Sequence, residues 1–189
     1  MAAKKPAQGV SGSVPVDEPS GLLAAIRGIW ESARSQAARS VNSALVQANW
    51  LIGKQIVEAE QGGKSRAAYS RRLLKTLSEA LEKDYGNGFS VSALQYMRAF
   101  YLGYPGLLKI QHAVRVESGE AFGAQPEPWT PGSLHTGLSW THYRTLLKVD
   151  RREARDFYEI EAVRNGWSAR QLERQINTFL FDRLLKSRD

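Results

Sequence analysis

One apolar pattern near the amino terminus constrains the fold more than any other feature of the sequence. Between Ser20 and Gln61, apolar side chains recur at steps of three and four residues, as on one side of an α-helix. The stripe comprises Leu22, Ile26, Ile29, Trp30, Ala33, Ala37, Val41, Leu45, Ala48, Ile52 and Ile56. A stripe of about ten turns predicts either a coiled-coil-like helix pair or two helices joined by a subtle break. Ser20 is the expected N-cap, and Gln61-Gly62-Gly63 is the expected end.

Helical spacing continues along the rest of the chain, and no segment shows the sustained alternation of a strand. Further helices are expected from Ser65 to Asp84, from Ser90 to Tyr104, from Leu107 to Val116, from Ser139 to Asn165 and from Ser168 to Leu184. The predicted fold class is therefore all-α: a helical bundle with a long N-terminal helix or helix pair.

The distribution of glycine and proline predicts the domain organisation. Residues 1–19 are rich in small residues and lack a period, so they are expected to form a disordered tail. Residues 20–187 are expected to form one helical domain, with a long loop at about 117–138. No secretory signal and no apolar run long enough for a membrane span is visible, so a cytoplasmic protein without a membrane partner is expected.

The charge of the chain favours a polyanionic partner. The sequence has 26 Lys and Arg against 19 Asp and Glu, a net charge of +7. A basic excess of this size favours nucleic acid, although many small proteins are basic for no specific reason. One acid-free basic segment contains the phosphate-binding candidates Lys64, Arg66, Arg71, Arg72 and Lys75. A second, from His142 to Asp189, has 11 cations and eight acids.

The most specific pattern in the chain is a repeated turn. Asn87-Gly88-Phe89-Ser90 and Asn165-Gly166-Trp167-Ser168 are each followed, after three further residues, by leucine, at Leu94 and Leu172. Glycine at positive φ ends one helix, serine caps the next, and the aromatic residue packs onto the leucine. This layout predicts two helix-turn-helix-like corners. An ordinary helical corner without any DNA contact is an equally weighted alternative.

The residues after each corner are the candidate DNA-reading side chains. In the second copy, Arg and Gln side chains are expected to point outward near the helix N-terminus, where a recognition helix contacts bases. These candidates are Arg170, Gln171, Arg174 and Gln175. The first copy offers the less cationic pair Gln95 and Arg98. The second copy is therefore predicted to be the better recognition helix.

The sequence shows no catalytic or metal-binding constellation. Cysteine is absent, and His112, His135 and His142 lack the spacing of metal ligands. His142 could be imagined as a general base, but a histidine in the first turn of an amphipathic helix is more often structural. No catalytic residue, metal or cofactor is therefore expected.

Several short motifs, taken together, are specific enough to suggest a family. They include Trp50-Leu51-Ile52-Gly53-Lys54, Gly88-Phe89-Ser90, Leu138-Ser139-Trp140-Thr141-His142-Tyr143 and Trp167-Ser168. From about Leu22 to Leu185 the chain resembles the N-terminal domain of the YhcG-like family. In that family the helical domain precedes a nuclease domain of the PD-(D/E)XK type, and the resemblance implies DNA processing and defence against foreign DNA. Since this sequence ends at Asp189, the nuclease domain is expected to be absent, and no catalytic residue carries over.

Two hypotheses of function remain from the sequence. The first is a non-catalytic DNA-binding module, with DNA and a nuclease domain or subunit as its partners. The alternative is a protein–protein interaction or dimerisation module with an incidental basic surface, in which the N-terminal stripe forms a homo-oligomer. An enzyme that uses His142 is the weakest reading.

Overall fold

The computed structural model describes residues 20–62, 67–108 and 129–187. Within these ranges the chain forms seven α-helices and no strand. They are α1 (Ser20–Gly62), α2 (Ala67–Tyr85), α3 (Val91–Gly103), α4 (Trp140–Leu146), α5 (Arg152–Arg164), α6 (Ala169–Asn177) and α7 (Leu180–Lys186). The all-α prediction is confirmed.

Some predicted elements lie outside the described residues. They are the tail at 1–19, the start of a helix at Ser65, and most of the expected helix from Leu107 and of the expected loop at 117–138. The described ends of this region, Leu107 and Leu108 on one side and 129–139 on the other, contain turns and no helix. By its internal contacts the chain divides into two units, Met1–Gln36 and Ala37–Asp189.

Helix α1 is a single helix of 43 residues, so the predicted break is absent. After Ala37 its buried residues include Ser43, Val46 and Trp50. The predicted stripe is confirmed only at its end, where Ile56 is buried; Val41 and Leu45 are more than half exposed. Before that end, the fold buries a side of the helix that the periodicity did not predict.

A close approach between α1 and α3 explains which side of α1 is buried. A Cβ atom at Gly53 would lie 2.0 Å from the carbonyl oxygen of Met97, so only glycine fits there. Trp50 Nε1 donates a hydrogen bond of 2.8 Å to the carbonyl of Tyr104, just beyond α3. The glycine that weakens the helix pattern in the sequence is therefore required by packing.

Two hydrophobic clusters hold the helices after Ala37 together. The larger one combines α1, α3 and the four C-terminal helices around Val46, Trp50, Phe100, Tyr104, Leu107, Leu108, Leu134, Leu138, Tyr143, Leu146, Ala154, Tyr158, Ala162 and Leu172. The smaller one joins α1, α2 and α3 through Ile56, Leu74, Leu94 and Met97. Trp140 packs against both clusters. Helix α2 makes this contact through its middle, where Leu74 is buried, whereas Tyr69 and Tyr85 near its two ends are exposed.

Two helices predicted as continuous are broken. The helix expected from Ser139 stops at Leu146 and restarts at Arg152. The Arg155 side chain stabilises this break, because its Nε and Nη2 donate to the Val149 carbonyl at 3.1 and 2.8 Å. The last helix breaks at Phe179, which has a left-handed φ of 53° and is 65% exposed. Phe179, whose spacing from Leu172 and Ile176 would place it on the apolar side of a continuous helix, therefore does not face the core.

A carboxyl group is buried in the larger cluster. Glu159 of α5 is fully buried, and its Oε1 accepts a hydrogen bond of 3.2 Å from the Gly132 backbone N–H. Its Oε2 and the nearby Tyr104 hydroxyl each lack a hydrogen bond of normal geometry. Burial raises the pKa of Glu159 to about 8. The carboxyl is therefore largely protonated at neutral pH, which lowers the cost of burying it.

Candidate nucleic-acid interface

The corner between α5 and α6 is fixed by a dense set of local bonds. Gly166 adopts a φ of +59°, as the sequence predicts. The Trp167 N–H then bonds back to the Ala162 carbonyl at 3.0 Å, which closes the end of α5. Ser168 begins α6 with a capping box: the Gln171 N–H bonds to Ser168 Oγ at 3.3 Å, and the Ser168 N–H bonds to Gln171 Oε1 at 2.8 Å.

His142 anchors this corner to α4. It is buried, and its Nδ1 accepts a hydrogen bond of 3.1 Å from the Ser139 N–H. The ring proton therefore belongs on Nε2, which lies 2.9 Å from the Trp167 carbonyl oxygen and donates to it. Both ring nitrogens are occupied by backbone groups. A general-base role for His142 would require breaking one of these bonds, so this geometry favours the structural reading.

Helix α6 presents two of the four predicted side chains without a partner. Arg170 and Arg174 are exposed, and no ion pair or hydrogen bond of either side chain occurs among the described residues. Because they are four residues apart, both project from one side of the helix. Gln171 is instead held in the capping box, and Gln175 is partly buried. The two arginines are therefore the groups on α6 that remain available to a ligand.

Most other cations between His142 and Ser187 are already engaged. Lys148 pairs with Glu173 at 2.7 Å, and Arg144 stacks over the Tyr96 ring at 4.6 Å. The cations with a partner in this range are Arg144, Lys148, Arg151, Arg152, Arg155 and Arg164, although the Arg152 and Arg164 side chains are mostly in solvent, so their ion pairs are weak. Four cations have no partner among the described residues: Arg170, Arg174, Arg183 and Lys186, which we call the α6–α7 basic group.

Sequence reasoning missed two members of this group. Arg183 and Lys186 lie in the last turn of α7 and are exposed. Asp182, the acid directly before Arg183, pairs instead with Arg151 at 3.2 Å. Nothing local in the sequence shows that pairing. Their spacing at i and i+3 was the available signal that they share a side of a helix.

The first corner, between α2 and α3, differs from the second in both turn and charge. Its positive φ of 81° is at Gly86, and Gly88, the glycine of the repeated pattern, has no positive φ. Ser90 caps α3 as predicted, accepting from the Ala93 N–H at 3.2 Å. Gln95 is exposed.

Arg98 is engaged within the fold. Its Nε lies 2.6 Å from Glu60 Oε2, and the other oxygen of Glu60 accepts from the Ser70 hydroxyl. The Glu60 side chain is 12% exposed and the Arg98 side chain 39%, so the acid is shielded from solvent and the arginine only partly. This cluster ties α1, α2 and α3 together, and it makes Arg98 a weaker candidate for DNA binding than the arginines of α6.

The basic segment of α2 is only partly described. Arg71 and Arg72 are exposed, and Lys75 lies 3.8 Å from Glu79 with both side chains mostly in solvent. An ion pair of that kind contributes little. Lys64 and Arg66 lie outside the described residues.

Among the described residues, no group of three or more His, Asp or Glu side chains could hold a metal ion. No helix within them is long and apolar enough to cross a lipid bilayer.

The fold defines the class of protein: a helical domain with two serine-capped corners and an exposed basic group. The chain belongs to the family described as DUF1016 N-terminal domain, whose sequence model matches residues 25–183. It is 41% identical over 173 residues to "Putative nuclease YhcG" of Escherichia coli (strain K12), which confirms the predicted resemblance. That alignment covers 84% of this chain and 44% of the relative, so the chain spans less than half of the relative's length. No solved structure is significantly similar.

Proposed function

We propose that this domain binds duplex DNA through α6 and α7 and so directs a nuclease to its substrate. The nuclease would be a further domain of a longer chain or a separate subunit. One observation carries the proposal: within the part of the chain that the structure describes, the four cations of the α6–α7 basic group have no acidic partner, whereas the other cations after His142 have a partner. The name of the E. coli relative supports the link to a nuclease.

In this proposal the second corner acts as a helix-turn-helix unit and α6 is its recognition helix. The backbone that carries Arg170 and Arg174 is fixed, because the capping box holds the start of α6 and Leu172 between them is fully buried. Arginine binds the O6 and N7 atoms of guanine bidentately in the major groove. Arg183 and Lys186 would then contact phosphates, which position the protein without reading sequence.

The domain itself is proposed to be non-catalytic and cytoplasmic, with a role in defence against foreign DNA. Phosphodiester cleavage generally requires carboxylates that hold a divalent cation, and the DNA-binding proposal needs no such group in this domain. The purified chain should therefore bind DNA but leave it intact with Mg²⁺ or Mn²⁺.

Fluorescence anisotropy with a labelled duplex, titrated at several salt concentrations, tests this function. If Arg183 and Lys186 each neutralise one phosphate, as proposed, the plot of log affinity against log salt should have a slope of about −2. Single-stranded and branched DNA of equal length are the comparison ligands. Absence of binding to all of them at about 50 mM salt would contradict the proposal.

A second candidate function is a protein–protein interaction or dimerisation module. It is favoured by the exposed apolar side chains of α1, which the DNA-binding proposal does not use. The two functions are compatible, and the salt dependence of DNA binding separates the first from the second.

A further inference from the structure

The part of α1 before Gln36 exposes its largest apolar side chains. Leu22, Leu23, Ile26, Ile29 and Trp30 each expose between 46% and 72% of their surface. Single exposed apolar residues are common on protein surfaces, but a contiguous group of five is not. These five are neighbours on the helix surface, because their positions differ by steps of three and four.

The spacing in this segment is that of a helix–helix seam. Leu22, Ile26, Ile29 and Ala33 follow one another at steps of four, three and four, the a/d pattern of a coiled coil. Such a seam requires a facing helix with the same pattern, since each side chain inserts between four residues of its partner.

The charged residues of the segment lie away from the seam. Arg27, Glu31 and Arg34 project from the other side of the helix at 100° per residue. Arg34 Nη1 and Glu31 Oε1 lie 3.6 Å apart, so these two charges are already paired. Two identical segments could therefore pair without bringing like charges together.

The exposed area matches what a weak dimer needs. Trp30 and the four smaller aliphatic side chains, at exposures of 46–72%, present on the order of 500 Å² per chain. A pair of chains would bury at most about 1,000 Å² in total, which is the size of a weak or transient interface. A dimer of this kind is expected to dissociate on dilution.

We propose that residues 20–36 of α1 pair with the same segment of a second copy of the chain in a short two-stranded coiled coil. This inference rests on the second candidate function, names its partner, and is independent of DNA binding. A second copy supplies a facing helix with the same a/d spacing.

Sedimentation equilibrium of the full chain tests the dimer. The parent should pass from monomer to dimer over roughly the 1–100 μM range. The double variant Ile26→Glu, Trp30→Glu places two charges in the seam and should remain monomeric at every concentration. Its matched control, Ala24→Glu with Gly28→Glu, adds two charges at the same i, i+4 spacing on the opposite side and should dimerise like the parent. Circular dichroism confirms that both variants are helical.

A monomeric parent at every concentration, or equal effects of the two double variants, would overturn the dimer. Because the chain has no cysteine, Leu22→Cys and Ala33→Cys also give clean single-site disulfide probes. A parallel pair should cross-link each variant to itself, and an antiparallel pair should cross-link the two variants to each other. No cross-link in either arrangement would contradict the seam.

The same variants separate this inference from the DNA-binding proposal. Ile26→Glu with Trp30→Glu should still bind duplex DNA, with at most a loss of the affinity gained from two linked sites. Loss of dimer with retained binding supports both proposals independently.

Discussion

The two corners of this protein share a sequence pattern and differ in what they expose. Both have an N-cap serine and a fully buried leucine four residues later, Leu94 in the first and Leu172 in the second. After the first corner, Arg98 is bound to Glu60 of α1. After the second, Arg170 and Arg174 have no such partner.

This difference shows that the motif predicts local geometry but does not predict whether the arginine that follows it is available to bind a ligand. Glycine, serine and leucine at these spacings determine where one helix ends and the next is capped and packed. Whether the neighbouring arginine is free depends on acids far away in the sequence: Glu60 lies 38 residues before Arg98. The proposed function depends on that availability.

The largest effect should come from removing the shared leucine. Leu172→Ala should lower the free energy of unfolding by about 3–5 kcal/mol, because its site lies in the larger hydrophobic cluster and cannot collapse. Leu94→Ala should cost about 2–3 kcal/mol, since the smaller cluster can relax around the cavity. Urea denaturation of both variants measures this difference. A greater loss of unfolding free energy for Leu94→Ala than for Leu172→Ala would contradict this prediction.

The buried carboxyl of Glu159 in α5, the helix that leads into the second corner, should make the stability of the fold depend on pH. The pKa of Glu159 is raised to about 8 in the folded chain from 4.5. The protonated carboxyl therefore contributes its full stabilisation below pH 4.5, and this contribution is lost as the pH rises through about 8. Between about pH 5 and about pH 8 the parent should lose about 2–4 kcal/mol relative to Glu159→Gln. Parallel stability profiles of the two proteins would contradict this.

Removing the anchor of the second corner should have a somewhat smaller effect. His142→Ala leaves the Trp167 carbonyl and the Ser139 N–H without their partner, which should cost about 1–3 kcal/mol. The counterpart in the first corner is Ser90→Ala, which removes only the N-cap and should cost about 1 kcal/mol. Thermal denaturation near neutral pH compares them. Equal losses would show that His142 does not anchor the corner.

The smallest expected effect is a gain in stability. Phe179 is mostly exposed and has a left-handed backbone, so Phe179→Gly should raise stability by about 0.5–1 kcal/mol. The matched change Phe89→Gly, near the first corner, should instead lower stability, because Phe89 packs against the smaller cluster. A loss of stability in Phe179→Gly would indicate that the ring has a packing role.

The sequence was sufficient to predict the features that depend on near neighbours. The all-α class, the caps at Ser90 and Ser168, and the positive φ of Gly166 follow from residues within one or two turns. Phe89 and Trp167 also pack onto the clusters that contain their leucines, as expected.

Most failures depend on distant contacts; the exceptions are Gly88, which has no positive φ, and the left-handed Phe179 at which the last helix breaks. The break after Leu146 is held by Arg155, and the buried side of α1 is selected by its approach to Met97. Arg98 forms an ion pair with Glu60, and the buried Glu159 accepts a hydrogen bond from the Gly132 N–H. No local pattern shows these pairings.

The proposed contact between α6 and DNA is tested most directly by a comparison of two double variants. Arg170→Ala with Arg174→Ala removes two unpartnered cations from α6, and Arg71→Ala with Arg72→Ala removes two exposed cations from α2. Net charge falls equally, so only location differs. By fluorescence anisotropy with duplex DNA at fixed salt, the α6 variant should bind weaker by about 2–4 kcal/mol and the α2 variant by less than about 1 kcal/mol. If the α6 variant binds every DNA as tightly as the parent, or if both variants lose equally, the helix-turn-helix assignment is wrong.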